Sequence, residues 1–427
     1  MFTYNNKSWE YIINYTKKRW FILFVVCLAN LCLGSIYTWS VFAAPMAEYL
    51  SGILGKTLTS ADLAIVYTIA NSVGPITMIS GGWVNDKFGP KKVLFVGGMM
   101  WGLGMLLSGF ATSVGFLIVS YALIGGLGLG MAYGTAISSC IKFFPDKSGL
   151  VGGIITAVYG FGSVALPPIV TMIVNKFDAP TAFKIVGIVF CIILAFCSFT
   201  IEKCPPNFVP DGWTPTEKKN SNSVTINKDW KGMLKTPAFY VMILLFTCGA
   251  FTGMMITSQA SAVARNLVGM SAIAASTAVS VLALFNVFGR IVAGYSSDKI
   301  GRILTLAFSC VLGAIGLLCL YKSGEGTNVI FYIGISIVGL CFGSFMGVFQ
   351  GFTASKFGTL NNSVNYGIMF IGVAIAGYFG PTVMGSMYRQ YGSYQNAFLV
   401  ACALNIFGIV LTIIYSILDK REKRANS

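Results

Sequence analysis

Twelve apolar stretches, each about 20 residues long, leave few folds open to this chain. A stretch of this length crosses a hydrocarbon core of about 30 Å as an α-helix, which pairs its own backbone polar groups. With 56% hydrophobic and 10% charged residues, the chain of 427 residues is too apolar for a soluble protein. The sequence therefore predicts an all-α integral membrane protein. Its twelve transmembrane helices begin near Trp20, Ala61, Val93, Gly115, Gly149, Thr181, Ala238, Ser271, Ile303, Asn328, Val364 and Gln395.

The basic residues are distributed unevenly between alternate loops. If the N-terminus is cytoplasmic, 22 of the 29 Lys and Arg residues fall on the cytoplasmic side, and one, Arg290, falls inside an apolar stretch. By the positive-inside rule, this asymmetry predicts that both termini are cytoplasmic. The net charge of +15 is then explained by topology and by contact with anionic membrane lipid, and no nucleic-acid partner is expected.

Cysteine and histidine usage limits the chemistry that the chain can support. None of the 11 cysteines forms a CxxC pair, and nearly all lie within apolar stretches, which is typical of packing residues. Histidine is absent, which removes the commonest metal ligand and the side chain that titrates most readily near neutral pH. The sequence contains no paired nucleophile and general base, no residues at the spacing of metal ligands and no phosphate-binding loop. It therefore predicts neither an enzyme nor a metal or other cofactor.

Two loops that lie six spans apart share one sequence pattern. The first contains Gly82, Asp86, Lys87 and Gly89, and the second contains Gly294, Asp298, Lys299, Gly301 and Arg302. The glycines and aspartates of the two copies are all offset by 212 residues, which indicates two six-helix bundles related by duplication. We expect an N-terminal bundle at 1–201, an exposed cytoplasmic linker at 202–237 and a C-terminal bundle at 238–427.

The physical chemistry of these loops suits a moving part. Each aspartate can accept hydrogen bonds from the N-terminus of a neighbouring helix, and the basic residues can pair across the loop. The pattern G-x-x-x-D-[RK]-x-G-[RK] resembles the signature loop of the major facilitator superfamily, and it occurs here at both family positions. The resemblance implies two bundles that rock about a central site, with Asp86 and Asp298 stabilising the outward-open, cytoplasm-closed state.

Arg290 is the only charged side chain well inside an apolar stretch, and no other stretch offers an acidic partner. It precedes Asp298 by eight residues, so on a helix it lies about 12 Å inward from the loop, near the membrane midplane. A charge at that depth costs between about 3 and 10 kcal/mol or more. Either the guanidinium binds carbonyl groups of a neighbouring helix, or an anionic substrate neutralises it, and we favour the substrate.

Other polar and aromatic residues deep in the spans are candidates for contact with the same ligand. Asn286 lies one turn before Arg290 on the same helix face and could orient the guanidinium or donate to the ligand. Aromatic side chains with a polar group can hydrogen-bond a carboxylate while their rings exclude water. Each of them alone is more typical of helix packing than of ligand binding. These residues are Tyr37, Trp39, Tyr133, Tyr159 and Tyr366.

Short motifs in three spans and one loop resemble the oxalate/formate antiporter family. They are Leu33-Gly34-Ser-Ile-Tyr37-Thr-Trp39-Ser, Phe143-Phe144-Pro145-Asp146-Lys147-x-Gly149-Leu150, Tyr159-Gly160-x-Gly162 and Asn365-Tyr366-Gly367. In that family an arginine of span eight and a lysine of span eleven grip the two carboxylates of oxalate, within an aromatic cage. By this resemblance, Arg290 corresponds to the arginine of the family, and Tyr37, Tyr133 and Tyr159 correspond to its aromatic cage. The lysine has no counterpart, because Val373 occupies its position.

The missing lysine decides between substrate classes. One fixed positive charge neutralises one carboxylate, whereas a dicarboxylate would leave a second charge unpaired in a poorly solvated cavity. We therefore expect a secondary transporter that moves a small monocarboxylate, such as pyruvate, lactate or formate, by alternating access. The alternatives are a dicarboxylate antiporter of the oxalate/formate type and a transporter-like membrane sensor that binds an anion without moving it.

The way in which transport is coupled to an energy source depends on the side chains along the substrate path. Proton symport usually depends on a titrating side chain within the spans, and the deep parts of these spans contain no Asp, Glu or His. Exchange of anions, or uniport, therefore ranks above symport relayed by a carboxylate, although the substrate itself could carry a proton. The expected partners are a small organic anion and membrane lipid, and the protein is expected to be a monomer in a bacterial inner membrane.

Overall fold

The computed structural model describes residues 6–60, 62–206, 208–213 and 227–425, and no β-strand occurs in these ranges. A 3-10 turn, Gly34–Thr38, joins the first two helices, and a π-helical stretch, Ile118–Gly125, joins the fifth and sixth. The helices are α1 (Asn6–Leu33), α2 (Trp39–Leu54), α3 (Ala64–Phe88), α4 (Pro90–Ser108), α5 (Val114–Leu117), α6 (Gly126–Ile141), α7 (Ser148–Lys176), α8 (Ala179–Thr200), α9 (Trp230–Leu234), α10 (Pro237–Asn266), α11 (Ala272–Ile300), α12 (Arg302–Tyr321), α13 (Asn328–Phe357), α14 (Asn362–Met369), α15 (Ile371–Tyr391) and α16 (Gln395–Ala425).

The chain is a multi-pass membrane protein of the all-α class, as predicted. Among the described residues, 11 helical segments are long and apolar enough to cross a membrane. The remaining predicted span is α4, which has 19 residues and begins with a proline and two lysines. The start expected near Ala61 lies outside the described residues, and the helix of that span begins at Ala64.

The first span is longer than the apolar pattern indicated. Its helix begins at Asn6 rather than near Trp20, and it continues through the 3-10 turn and α2 to Leu54. The polar residues before Trp20 are held by tertiary contacts: the Arg19 guanidinium donates to both carboxylate oxygens of Asp146, at 2.6 and 3.1 Å. Hydropathy alone cannot report such contacts, because they depend on where the later loop lies.

Packing divides the chain into two compact units. The first unit comprises Met1–Asp146, Val158–Glu217 and Thr359–Ile368, and the second comprises Lys147–Ala157, Lys218–Gly358 and Met369–Ser427. The units differ from the bundles predicted at 1–201 and 238–427 in two short exchanged pieces. The first turns of α7 pack within the second unit, and most of α14 packs within the first.

Glycines and aromatic rings pack the first unit. In it α4 packs on α8, and α6 packs on both α3 and α4. Gly34 lies directly against the backbone of Tyr159, a contact that any side chain at position 34 would prevent. Phe42 and Phe183 stack at 3.9 Å between ring centroids. Small residues let helices approach closely where lipid supplies no hydrophobic driving force between them.

The second unit is built in the same way. Its main helix contacts are α11 on α13, α10 on α15, and α12 on both α13 and α16. Phe246 of α10 and Phe349 of α13 stack at 4.1 Å with ring planes 5° apart. Gly343 and Gly347 of α13 lie directly against the backbone of α11.

Both described ends of the predicted linker are anchored within their own unit. In the first unit, the Glu202 carboxylate accepts hydrogen bonds from Lys18 Nζ at 2.7 Å and from the Tyr15 hydroxyl at 3.0 Å. In the second unit, the backbone N–H of Lys228 donates to the carbonyl of Phe357 at 2.8 Å. The linker was expected to be an exposed connector, and its composition did not reveal these contacts. Residues 214–226 lie outside the described part of the chain.

We predict that Glu202 makes a pH-dependent contribution to stability. Burial of its carboxyl opposes ionisation, but hydrogen bonds from Lys18 and Tyr15 outweigh it and hold the pKa of Glu202 below its ordinary value. The ionised carboxylate therefore stabilises the fold above its unfolded-state pKa of about 4.3. That stabilisation is lost as the pH falls through the lower folded-state pKa.

Glu202→Gln should therefore lower the melting temperature of the purified protein at pH 7, at a cost of about 0.5–1 kcal/mol. The difference from the native protein should shrink as the pH falls through the lowered folded-state pKa of Glu202, because the carboxyl is then protonated in both states. Glu48→Gln is the matched control, because Glu48 is an exposed carboxylate. Equal melting of native and Glu202→Gln protein at pH 7 would rule out this contribution.

Candidate functional site

Arg290 is buried in the second unit, on α11, with 2% of its surface exposed. Its Nε donates to Asn286 Oδ1 at 3.0 Å, and its Nη1 donates to the backbone carbonyl of Thr156 on α7. Both acceptors are neutral. Among the described residues no carboxylate forms an ion pair with Arg290, so the protein leaves this buried charge without a counter-ion.

Three glycines allow neighbouring helices to approach the backbone around Arg290. A methyl group at Gly153 of α7 or at Gly347 of α13 would meet the Arg290 carbonyl, and one at Gly343 would meet the carbonyl of Asn286. Because these backbones are so close, the part of α11 that carries Arg290 has little freedom to move relative to α7 and α13. The guanidinium is thus positioned by helix packing and two neutral hydrogen bonds.

The donors at this site are not all used by the protein. A guanidinium carries five N–H groups in a planar fork that matches the two oxygens of a carboxylate. Arg290 makes two hydrogen bonds within the described structure, which leaves donors for a ligand. The Asn286 Nδ2 group is buried and has no hydrogen-bond acceptor in the described part of the chain. The local arrangement can therefore bind an anion that has more than one acceptor oxygen.

Three predicted aromatic residues come together in the first unit. The rings of Tyr37 and Tyr159 lie 5.7 Å apart at an angle of 76°, and those of Tyr133 and Tyr159 lie 4.6 Å apart. The close contact of Gly34 with the Tyr159 backbone brings the first and fifth spans together one turn before Tyr37. We refer to Tyr37, Tyr133 and Tyr159 as the tyrosine cluster.

The other two predicted aromatic residues are also buried in the first unit. Trp39 packs against Tyr121 at 4.7 Å, within the aromatic core. Tyr366 is fully buried, and the adjacent Gly367 lies against the backbone of Ile79 on α3.

In the first unit, Asp86 binds the start of α14. Its Oδ1 accepts hydrogen bonds from the Ser363 hydroxyl at 2.8 Å and from Lys142 Nζ at 2.9 Å. Its Oδ2 accepts from the backbone N–H of Val364 at 3.3 Å. A carboxylate at this position also interacts favourably with the positive end of the helix dipole.

In the second unit, Asp298 binds the start of α7 in the equivalent way. Its Oδ1 and Oδ2 accept hydrogen bonds from the backbone N–H groups of Gly149 and Leu150, at 2.9 and 2.8 Å. Arg302 lies 3.6 Å from the Asp298 carboxylate and donates to the Ser148 hydroxyl at 2.7 Å. The repeated motif thus makes the same kind of contact twice, once in each unit.

The other motif residues repeat their geometry as well. Gly89 and Gly301 each adopt a positive φ, 92° and 93°, that ends the preceding helix and that side chains disfavour. Gly82 lies against the backbone of Ser363, and Gly294 lies against that of Gly149. Lys87 and Lys299 both lie over aromatic rings: Lys87 is 5.2 Å from Trp83, and Lys299 is 4.4 Å from Tyr295.

The sequence did not single out several residues that build these sites. Thr156 binds Arg290 through a backbone carbonyl, which has no sequence signature. Gly153 could not be distinguished from the many packing glycines of the spans. The contact of Gly343 and Gly347 with α11 depends on how α13 packs, and it leaves no local pattern in the sequence. In the described residues no group of three or more His, Cys, Asp or Glu side chains could hold a metal ion.

Comparison with known proteins agrees with the geometry. The sequence model of the family described as Major Facilitator Superfamily matches residues 20–377. The chain is similar to the oxalate:formate antiporter of Oxalobacter formigenes, with 28% identity over 92% of this chain and 90% of that protein. It is also similar to the MFS-type transporter YhjX of Escherichia coli (strain K12), with 27% identity over 85% of this chain and 86% of that protein. Monocarboxylate transporter 12 of Homo sapiens is 24% identical over 92% of this chain and 79% of its own length.

Among solved structures, the transporter FucP, crystallised in the outward conformation, superposes with a TM-score of 0.69 over 92% of this chain and 98% of that one. At 14% identity this likeness concerns the fold alone. The family match extends over most of the spans and includes both copies of the duplicated loop. With the Asp86 and Asp298 contacts repeated in its two units, the chain belongs to the major facilitator superfamily and is a membrane transporter rather than an enzyme.

Proposed function

We propose that this transporter moves a small monocarboxylate, such as pyruvate, lactate or formate, across the membrane by alternating access, and that Arg290 binds the carboxylate. The observation that carries the proposal is the buried guanidinium of Arg290, whose partners within the described structure are neutral. A buried charge without a counter-ion is costly, and a bound anion removes that cost. The bound substrate would therefore neutralise the buried charge of the second unit.

The number of buried cations supports a single carboxylate. Arg19 and Arg290 are the only basic side chains buried among the described residues, and Arg19 is paired with Asp146. Val373, at the position of the lysine that oxalate transporters are expected to carry, is buried and apolar on α15. One unpaired charge favours a monoanion over a dianion, because a second carboxylate would remain unpaired in a poorly solvated site.

Asn286 would serve two purposes in this proposal. Its Oδ1 holds the Arg290 Nε, and its buried Nδ2 is available to an acceptor on the ligand. The oxo or hydroxyl oxygen of a 2-oxo or 2-hydroxy acid is such an acceptor. The tyrosine cluster, Trp39 and Tyr366 stay predictions for ligand contact.

The names of two relatives support this substrate class. One is an oxalate:formate antiporter and the other is a monocarboxylate transporter, so both are named for small carboxylates. We also propose a bacterial inner-membrane location with both termini cytoplasmic, from the distribution of basic residues between the loops. In the transport cycle, the bonds of Asp86 to α14 and of Asp298 to α7 would stabilise the state that is closed on the cytoplasmic side.

The buried charge of Arg290 favours exchange of anions over net transport. When Arg290 holds an anion, the site is neutral, and when the anion leaves, an uncompensated cation remains in a medium of low polarity. Reorientation of the loaded carrier is then easier than reorientation of the empty one. Asn286, the side chain that binds Arg290, has no titratable group and cannot relay a proton.

Replacement of Arg290 by alanine should abolish uptake. Loss of a buried contact between a guanidinium and a carboxylate costs about 3–5 kcal/mol, which corresponds to a fall of more than about 100-fold. Radiolabelled pyruvate and lactate uptake into proteoliposomes measures this effect. Arg290→Lys, which keeps the charge but loses the planar fork, should retain partial activity. Uptake by Arg290→Ala at the native rate would refute the assignment of Arg290.

A second cation should change the substrate range. Val373→Lys should allow oxalate to compete with labelled pyruvate, because a dicarboxylate would then find two positive charges. Competition is measured as the fall in pyruvate uptake with increasing external oxalate. Val373→Met is the matched control, since methionine has similar length and no charge. If the native protein already transports oxalate as well as pyruvate, the one-charge argument is wrong.

Internal anion should accelerate uptake. Proteoliposomes loaded with unlabelled pyruvate should take up labelled pyruvate at least about tenfold faster than empty ones, equivalent to a barrier difference of about 1.4 kcal/mol. An imposed pH gradient should change the exchange rate little. Accumulation driven by a pH gradient and independent of internal anion would show instead that a proton travels with the substrate.

A further inference from the structure

The last turns of α10 are unusually polar for a membrane-spanning helix. The ten residues at its C-terminal end, 257–266, include six polar side chains. Thr257, Ser261 and Arg265 are spaced at i, i+4 and i+8, so they share one face of the helix, and all three are exposed. Such side chains within a span are found where they line water rather than lipid. The polar residues are Thr257, Ser258, Gln259, Ser261, Arg265 and Asn266.

These side chains line an open cavity of about 610 Å³, and its described lining residues all belong to the second unit. Val279 of α11 forms part of its wall. Val279 precedes Arg290 by 11 residues, so the cavity is about 16 Å from Arg290 along α11, towards the end opposite the Asp298 loop. The cavity is therefore separate from the site of Arg290 and lies at the outer end of the unit in the proposed topology.

Four of the lining side chains are available to a ligand. Within the described structure, the side chains of Thr257, Gln259, Ser261 and Arg265 form no hydrogen bond or ion pair with other residues. Arg265 is thus the only cation in the wall of this cavity, and it is not neutralised there. The hydroxyl groups of Thr257 and Ser261 and the guanidinium of Arg265, on one face of α10, form a suitable surface for a small carboxylate.

Arg265 is not required to terminate its helix. The N–H of Gly269, at φ 75°, donates to the Arg265 carbonyl at 3.2 Å, and the N–H of Met270 donates to the Ala264 carbonyl at 3.1 Å. Backbone groups therefore satisfy these carbonyls at the end of α10. Glu325 of the adjacent loop lies near Gly269, but it forms no ion pair with Arg265 among the described residues.

We infer that this cavity is an encounter site for the transported anion, in which Arg265 attracts a small carboxylate before it reaches Arg290. The identity of the ligand rests on the proposed function. A charge at the mouth of a path raises the local concentration of oppositely charged substrate and accelerates association, and salt weakens the effect. Arg265 therefore governs capture of the substrate, and Arg290 governs its binding and translocation.

Transport kinetics test this division of roles. Initial rates of pyruvate uptake are measured in right-side-out vesicles at several pyruvate and salt concentrations. Arg265→Gln should raise KM about three- to tenfold, leave kcat unchanged and reduce the salt dependence of kcat/KM. Arg389→Gln is the matched control, because Arg389 is an exposed cation at the end of α15 and does not line the cavity. A native KM in Arg265→Gln, or an equal change in Arg389→Gln, would overturn the inference.

A chemical measurement tests the cavity without transport. Ser261→Cys places a thiol one turn from Arg265, and none of the 11 native cysteines is exposed, so the parent protein is the background control. Anionic and cationic membrane-impermeant thiosulfonates are compared by their reaction rates. The ratio of anionic to cationic rates should fall at least about threefold when Arg265→Gln is added.

An unchanged ratio would contradict an encounter site at Arg265 even if Arg290→Ala abolishes uptake. Conversely, if Arg290→Ala transports normally while the ratio falls as expected, the role of Arg290 fails and the anion-attracting cavity stands. The two proposals are therefore separable by experiment.

Discussion

The guanidinium of Arg290 is held inside the second unit by an amide and a backbone carbonyl instead of a carboxylate. Neutral acceptors orient the side chain but do not cancel its charge. The glycines of α7 and α13 bring those helices close enough to position it. A small anion can neutralise the buried charge that such a membrane protein maintains. The proposed monocarboxylate substrate, with one carboxylate for one arginine, and the proposed anion exchange both follow from this need for a counter-ion.

The aspartates of the duplicated loops hold the N-terminal ends of neighbouring helices in position. Asp298 binds the first N–H groups of α7, the helix that also supplies the Thr156 carbonyl to Arg290. The loop and the buried arginine of the second unit therefore contact the same short piece of helix. Asp86 binds the start of α14 in the first unit in the same manner. A change in either loop is thus expected to alter the position of a helix that carries functional groups.

Much of the architecture could be predicted because membrane spans and duplicated loops leave strong local patterns. Arg290 was identifiable because a charge in an apolar stretch is costly, and Asn286 because it lies one turn away on the same helix. Backbone acceptors such as Thr156 and the exchange of short pieces between units could not be predicted, since they depend on tertiary packing. Trp39 illustrates such packing: its ring lies against Tyr121, a contact that its sequence neighbourhood did not reveal.

Calorimetric titration of the purified protein with pyruvate measures whether the charge of Arg290 holds the substrate. The native protein should bind pyruvate, and Arg290→Gln, which keeps a polar side chain of similar reach without the charge, should show no measurable binding at an unchanged melting temperature. Equal affinity of the two proteins for pyruvate would contradict the account, because the charge of Arg290 would then not be what holds the substrate.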